Sequence, residues 1–290
     1  MKLCQFTRDG IPGTGLYHNE HSLWDVSSML PPGISLVDCL MESYWRQQLE
    51  HIVTSEAAKL IALSDIRWML PCAHPGKIIG LGLNYHRHVH ETPYQPPKYP
   101  VYFLRLPHTL VAHSEPLKIP AGENTLDFEG ELAIVIGRHL YQETGDGLVT
   151  AIAGYSIFND ASVRSLQFRG PEWTLGKNCR ATGAFGPWLV SRDELVMSEH
   201  GICALNLTTR VNGVILQQAS TEDLIFSILD ILRDLNQFIP LDPGDIILTG
   251  TPEGVGFTRI PPLYLKPGDV VEISLQNAGT LVNPVEGTNL

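Results

Sequence analysis

Between Lys77 and Val285 short β-type runs follow one another almost without interruption: KIIGLGL, PVYFLRL, GELAIVIG, the alternation from Ala151 to Phe158, PWLV, ALNLTTRVNG, GDIILTG and DVVEISL. Each is rich in β-branched or aromatic residues and bounded by Gly, Pro, Asn or Asp, the pattern of strands joined by turns. Helical patterning is confined to short pieces. The best runs from Thr221 to Phe238, where Leu224, Ile228, Leu229, Leu232 and Leu235 make an apolar face. Strands therefore do not alternate with long helices, and a strand-rich α+β domain is expected rather than a doubly wound parallel sheet.

The first 70 residues read differently. Lys2 to Thr7, Gly15 to His18 and Ser22 to Val26 look like short strands, whereas Leu36, Leu40, Tyr44 and Leu49 to Ile52 fall at helical spacing, followed by a second helix-like stripe from Ala57 to Leu63. Met69 to Gly76 holds two prolines and reads as a linker. The expectation is a small α/β unit at 1–70 and a larger domain at 71–290. At 290 residues the chain is long enough for one large core with such an appendage.

Charge and cysteine usage remove several function classes. Twenty basic residues against 31 acidic ones give −11, which opposes nucleic-acid binding, where a basic stripe is expected. Apolar runs such as Leu132 to Ile136 fall far short of the roughly 20 residues of a membrane helix, so no membrane partner is expected. No apolar stretch precedes Arg8 and Asp9, so a secretory signal is not expected. Cys4, Cys39, Cys72, Cys179 and Cys203 are scattered and odd in number, which suits free thiols, and a cytoplasmic location is the expectation.

The sharpest local feature is Asp127-Phe-Glu129-Gly-Glu131, running straight into the apolar Leu132 to Ile136. On a strand, residues two apart share a face about 6.6 Å apart, so Glu129 and Glu131 project together and their repulsion must be offset. Two readings stand: a solvated acidic face, or a hard divalent ion, Mg²⁺ or Mn²⁺, on carboxylate oxygens. Asp160 closes an apolar strand and is the natural third ligand, although Asn159 or Asp160 could equally cap a helix. Arg164 and Gln167 follow at helical spacing. Lys177, in Trp173-Thr-Leu-Gly-Lys177, is by itself an ordinary lysine.

Asn84 to Glu91 carries His86, His88 and His90, but the spacing is not that of a closed zinc site. If the segment is helical, His88 and Glu91 touch, giving either a general base or a solvated pair. Gly80-Leu-Gly82 lacks the third glycine of a dinucleotide fingerprint. Gly250-Thr251-Pro252-Glu253-Gly254-Val-Gly256 lacks the Gly-Lys-Ser/Thr of a phosphate loop and reads as a turn offering N–H groups and the Thr251 hydroxyl to an anion.

In this order, Lys77 to Glu91, Pro100 to Phe103, DFEGELAIVIG, GYSIFNDASVRSLQ, WTLGK, GPWLV, PGDIILTGTPEGVG and PGDVVEISLQNAGTLVNPV resemble the fumarylacetoacetate hydrolase family over nearly all of residues 77–285. The resemblance implies a mixed β-roll or β-sandwich, a homodimer, and one Mg²⁺ or Mn²⁺ held by Glu129, Glu131 and Asp160. It makes His88 and Glu91 a water-activating dyad on a lid, Lys177 the cation beside developing negative charge, and Arg164, Gln167, Thr251 and Arg105 contacts to a small keto-acid substrate. Arg105 stands where many members have Lys, Ser165 ends a segment where many read Ala-Arg-Asp, Arg180 lies where an acid is expected after Lys177, and Glu253 puts an acid in the TGTP loop; these departures are expected around the substrate's distal end.

The implied activity is hydrolysis of a carbon–carbon bond in an acylpyruvate-like 2,4-dioxo acid. The alternative is an oxaloacetate-type decarboxylase, isomerase or hydratase on the same enolate chemistry. A catalytically idle binding protein of the same fold is the third reading.

Overall fold

The computed structural model describes every residue except 56, 57, 93, 195, 196, 199, 200, 203, 289 and 290. Ala57 and Cys203 thus lie outside the described residues. The fold is strand-rich α+β, built on a twelve-stranded sheet and a five-stranded sheet. Along the larger sheet the order is Lys59–Ala62, Ser22–Asp25, Ile11–Asn19, Lys2–Arg8, Gly183–Ser191, Ile152–Asp160, Gly130–Ile136, Ile246–Leu248, Ile78–Gly82 and Val101–Arg105. Strands on both sides of residue 70 share this sheet: Lys2–Arg8 pairs with Gly183–Ser191 and with Arg67–Met69.

The smaller sheet, ordered Val214–Ser220, Asn206–Val211, Val270–Leu275, Gly279–Gly287 and Leu117–Ile119, packs on one face of the central strands. The helix Leu36–Met41 packs on the other. That double cover explains the unbroken apolar run at 132–136, as expected for strands buried on both faces. Leu132, Ile134 and Ile136 join the core shared with Leu207, Ile273 and Leu275 of the smaller sheet. Ala133 and Val135 join the core shared with Leu36, Val37 and Leu40.

Three local expectations change. The apolar stripe at 36–52 is two helices, Leu36–Met41 and Ser43–Ser55, because Glu42 is extended between them. The stripe ending at Leu63 is mainly a strand, Lys59–Ala62, recruited by pairing with Ser22–Asp25 and burying Ile61. The long helix starts at Ile228, not Thr221: Ser227 accepts from the Asp230 N–H and Asp230 returns a bond to the Ser227 N–H, a capping box. Among the described residues no helix is long and apolar enough to cross a membrane.

Candidate active site

Strand register creates the acidic cluster. Glu131 stands opposite Phe158. Two residues further along both chains, Glu129 meets Asp160, whose N–H donates to the Glu129 carbonyl at 2.8 Å. Since side chains alternate along a strand, Glu129, Glu131 and Asp160 all project from the face away from the smaller sheet. Each offers a carboxylate oxygen within 4.8 Å of the others, and all three are buried.

Burying this much negative charge demands partners. Arg164 Nε donates to Asp127 at 2.9 Å and its Nη2 to Glu129 at 2.5 Å. Lys177 Nζ donates to Glu129 at 2.5 Å and also bonds Asp160, which takes a further bond from Arg105 Nη1 at 2.5 Å. Burial alone would raise the Glu129 carboxyl, but Arg164 and Lys177 more than offset it and hold it below the ordinary range. Glu131 is the contrast. It accepts the Gly250 N–H at 2.9 Å, and among the described residues it has no ion pair. Burial first, and then Asp160, push its carboxyl well above the usual value.

Three buried carboxylates, one of them without a cation in contact, fit a hard divalent ion by donor chemistry and charge. Glu129, Glu131 and Asp160 would hold it.

Above the acids, the helix His86–Glu91 brings His88 Nδ1 within 2.8 Å of Glu91 Oε1. Glu91 Oε2 accepts from the Gly254 N–H at 2.9 Å and from the Thr258 hydroxyl at 3.2 Å, which fastens the helix to the glycine-rich loop. With Nδ1 engaged, Nε2 is the nitrogen left for substrate or water. Asp127, not expected at the site, fixes the far end of that loop through the Gly256 and Phe257 N–H groups at 2.7 and 3.0 Å. Its place in DFEGE was the available signal.

His88, Glu129, Glu131, Arg164, Gln167, Lys177 and Thr251 share one cavity, walled by Tyr94, Phe103, Phe168, Trp173 and Phe257. Asp160 lies beneath this wall and Glu91 behind His88. Gly80 and Gly82 are what let the aromatic wall sit down: a Cβ at either would lie 2.2 Å from the Phe103 or Trp173 ring. Those rings meet edge to face at 5.7 Å, with Lys177 Nζ 4.7 Å from the Phe103 centroid.

Arg105 is corrected. It is absent from the cavity wall; its guanidinium is buried behind Asp160 and bonds Ala161 O and Thr182 Oγ1 besides the carboxylate. Ser165 and Arg180 are exposed, and Glu253 faces Arg87 at 3.5 Å, so none of the departures lines the cavity.

Residues 77–286 match the model of the fumarylacetoacetate (FAA) hydrolase C-terminal domain. The chain is 33% identical over 295 residues to the mitochondrial oxaloacetate tautomerase fahd2 of Xenopus laevis, covering 98% of this chain and 90% of that one. It is 35% identical over 227 residues to the mitochondrial oxaloacetate tautomerase Fahd2a of Rattus norvegicus, covering 78% and 71%. A fumarylacetoacetate hydrolase from psychrophilic Exiguobacterium antarcticum superposes with a TM-score of 0.85 at 31% identity, over 99% of this chain and all of that one. A maleylpyruvate hydrolase from Sphingobium sp. SYK-6, solved with manganese(II) and pyruvate, gives 0.81 at 25% identity over the whole of both chains. The relatives' names correct the expectation of a cytoplasmic protein, which rested on scattered thiols and a missing signal pattern: the frog, rat and human proteins are all named as mitochondrial. On the match over most of its length, this chain belongs to the fumarylacetoacetate hydrolase family, a family of enzymes.

Proposed function

We propose that the protein interconverts the keto and enol forms of an oxaloacetate-like 2-keto acid with the help of Mg²⁺ or Mn²⁺. The observation that carries this reading is His88, held by Glu91 from behind, lining the same cavity as Glu129, Glu131 and Lys177. A bound divalent ion would supply Lewis-acid stabilisation of negative charge developing on the keto oxygen. His88, oriented by Glu91, takes a proton from C3. Lys177 Nζ hydrogen-bonds the oxygen that gains charge, and a proton returned to that oxygen completes the enol. The aromatic wall restricts water at the reacting carbon. Relatives named as oxaloacetate tautomerases support the choice of substrate.

Cleavage of acylpyruvate-like carbon–carbon bonds is the second reading, supported by the likeness to the maleylpyruvate hydrolase. There the same dyad would remove a proton from water rather than from carbon. The two separate in one assay: enol–keto relaxation of oxaloacetate and cleavage of acetylpyruvate, each with Mg²⁺, with Mn²⁺ and with chelator, corrected for spontaneous decay. Metal-dependent relaxation of oxaloacetate is expected. Undiminished relaxation after verified metal removal would discard the metal role, and acetylpyruvate cleavage without relaxation would hand the site to the hydrolase reading.

A further inference from the structure

The glycine between the two acids is held by neither of its neighbouring strands alone. Ile246–Leu248 pairs with residues 133–135 of the central strand, and the chain then leaves the sheet as the 249–254 loop, which brings Thr251 to the cavity. The ladder on that side would end at the Thr249 N–H bond to Leu132. Beyond it the Gly130 N–H and C=O are buried, and an unpaired buried backbone group is costly.

Gln217, reaching across from the smaller sheet, takes the place of the departed strand. Its Oε1 accepts the Gly130 N–H at 3.0 Å. Its Nε2 donates to the Thr251 hydroxyl at 2.8 Å and to Pro252 O at 2.9 Å. Thr251 in turn donates to the Gly130 carbonyl at 3.1 Å. One buried amide therefore fixes the peptide planes on both sides of Gly130, which carry Glu129 and Glu131, and ties them to the loop whose Gly250 N–H holds Glu131. The approach is tight enough to require glycine: a Cβ there would lie 2.3 Å from Thr209 Oγ1.

We infer that Gln217 is a positioning residue for the metal centre: by completing the ladder where the strand diverges, it sets the spacing of the Glu129 and Glu131 carboxylates and the place of Thr251. The inference rests on the metal reading above. Its test is Mn²⁺ affinity of the metal-stripped full chain, measured by calorimetry with no substrate, on wild type, Gln217→Met, Gln217→Asn and Thr209→Val. Met keeps the length and loses all three bonds, Asn keeps the polarity and loses the reach, and Thr209 shares the layer without bonding the amide. Loss of such outer partners typically weakens metal binding about 10- to 100-fold. That loss is expected for both Gln217 variants, with Thr209→Val within about twofold of wild type. Asn serves if Met does not fold. Wild-type affinity in either folded Gln217 variant would overturn the inference, as would an equal loss in Thr209→Val, which marks a merely structural layer. No Mn²⁺ binding by wild type would remove the metal reading itself, and the inference with it.

Discussion

Ile134 and Glu131 lie three residues apart on one strand, and both are essentially removed from solvent. Ile134 pairs with Tyr155 and Ile247 within the apolar core, where burial stabilises the side chain without requiring a particular polar partner. Around Glu131 burial is unfavourable, and the carboxylates persist through Arg105, Arg164, Lys177 and loop N–H groups, each at a fixed place. One end of the strand pair is held by area, the other by geometry. Substitutions in the first should therefore change stability, and substitutions in the second chemistry.

His88→Ala should give the largest effect, lowering turnover by about 10²- to 10⁴-fold with little change in melting temperature, since the side chain is bonded mainly to Glu91. Rates at saturating oxaloacetate with added Mg²⁺, read beside thermal unfolding, check this. A large fall in stability with turnover per folded molecule intact would erase the contrast between the two ends.

At the apolar end, Ile134→Ala should cost about 2–5 kcal/mol of unfolding free energy, the usual range for truncating a buried aliphatic side chain. Mn²⁺ affinity of the folded protein should be unchanged. Urea unfolding and metal titration of the same preparation make the comparison; coupled losses would mean that area and geometry are not separable along this strand.

His113 bears on the same contrast, because it is a half-buried titratable group packed against Trp68 that makes no ion pair among the described residues. Its ring meets Trp68 edge to face at 4.8 Å and its Nδ1 accepts the Val282 N–H at 3.1 Å. Burial pushes its pKa from 6.5 down to about 4. The unfolded chain takes up a proton that the folded one refuses, so stability is fully present above about pH 6.5 and is lost as pH falls toward 4. The loss approaches about 3 kcal/mol. His113→Gln should flatten urea midpoints across that window, and equal slopes for variant and wild type would show that His113 is not the group responsible.

Much of this was legible in the residues. The run at 132–136 reads as a buried strand, and Glu129, Glu131 and Asp160 stand out because acids abut apolar strands. The stripe ending at Leu63 misled because local spacing cannot see the partner strand at 22–25 that converts it. Arg105 misled for a related reason: a basic residue at the end of an edge strand says nothing of which side of Asp160 it will occupy, and it came to rest behind the carboxylate.

Local sequence carried the strand runs of the larger domain, the acids, the His88–Glu91 pair and the family motifs, since each is written in a short stretch of chain. Only the tertiary structure decided that Glu129 faces Asp160, that Gly80 and Gly82 seat an aromatic wall, and that Gln217, 87 residues from Gly130, closes its ladder. Register and sheet packing bring together groups with no local relation, and the charges and hydrogen bonds of the site depend on those distances.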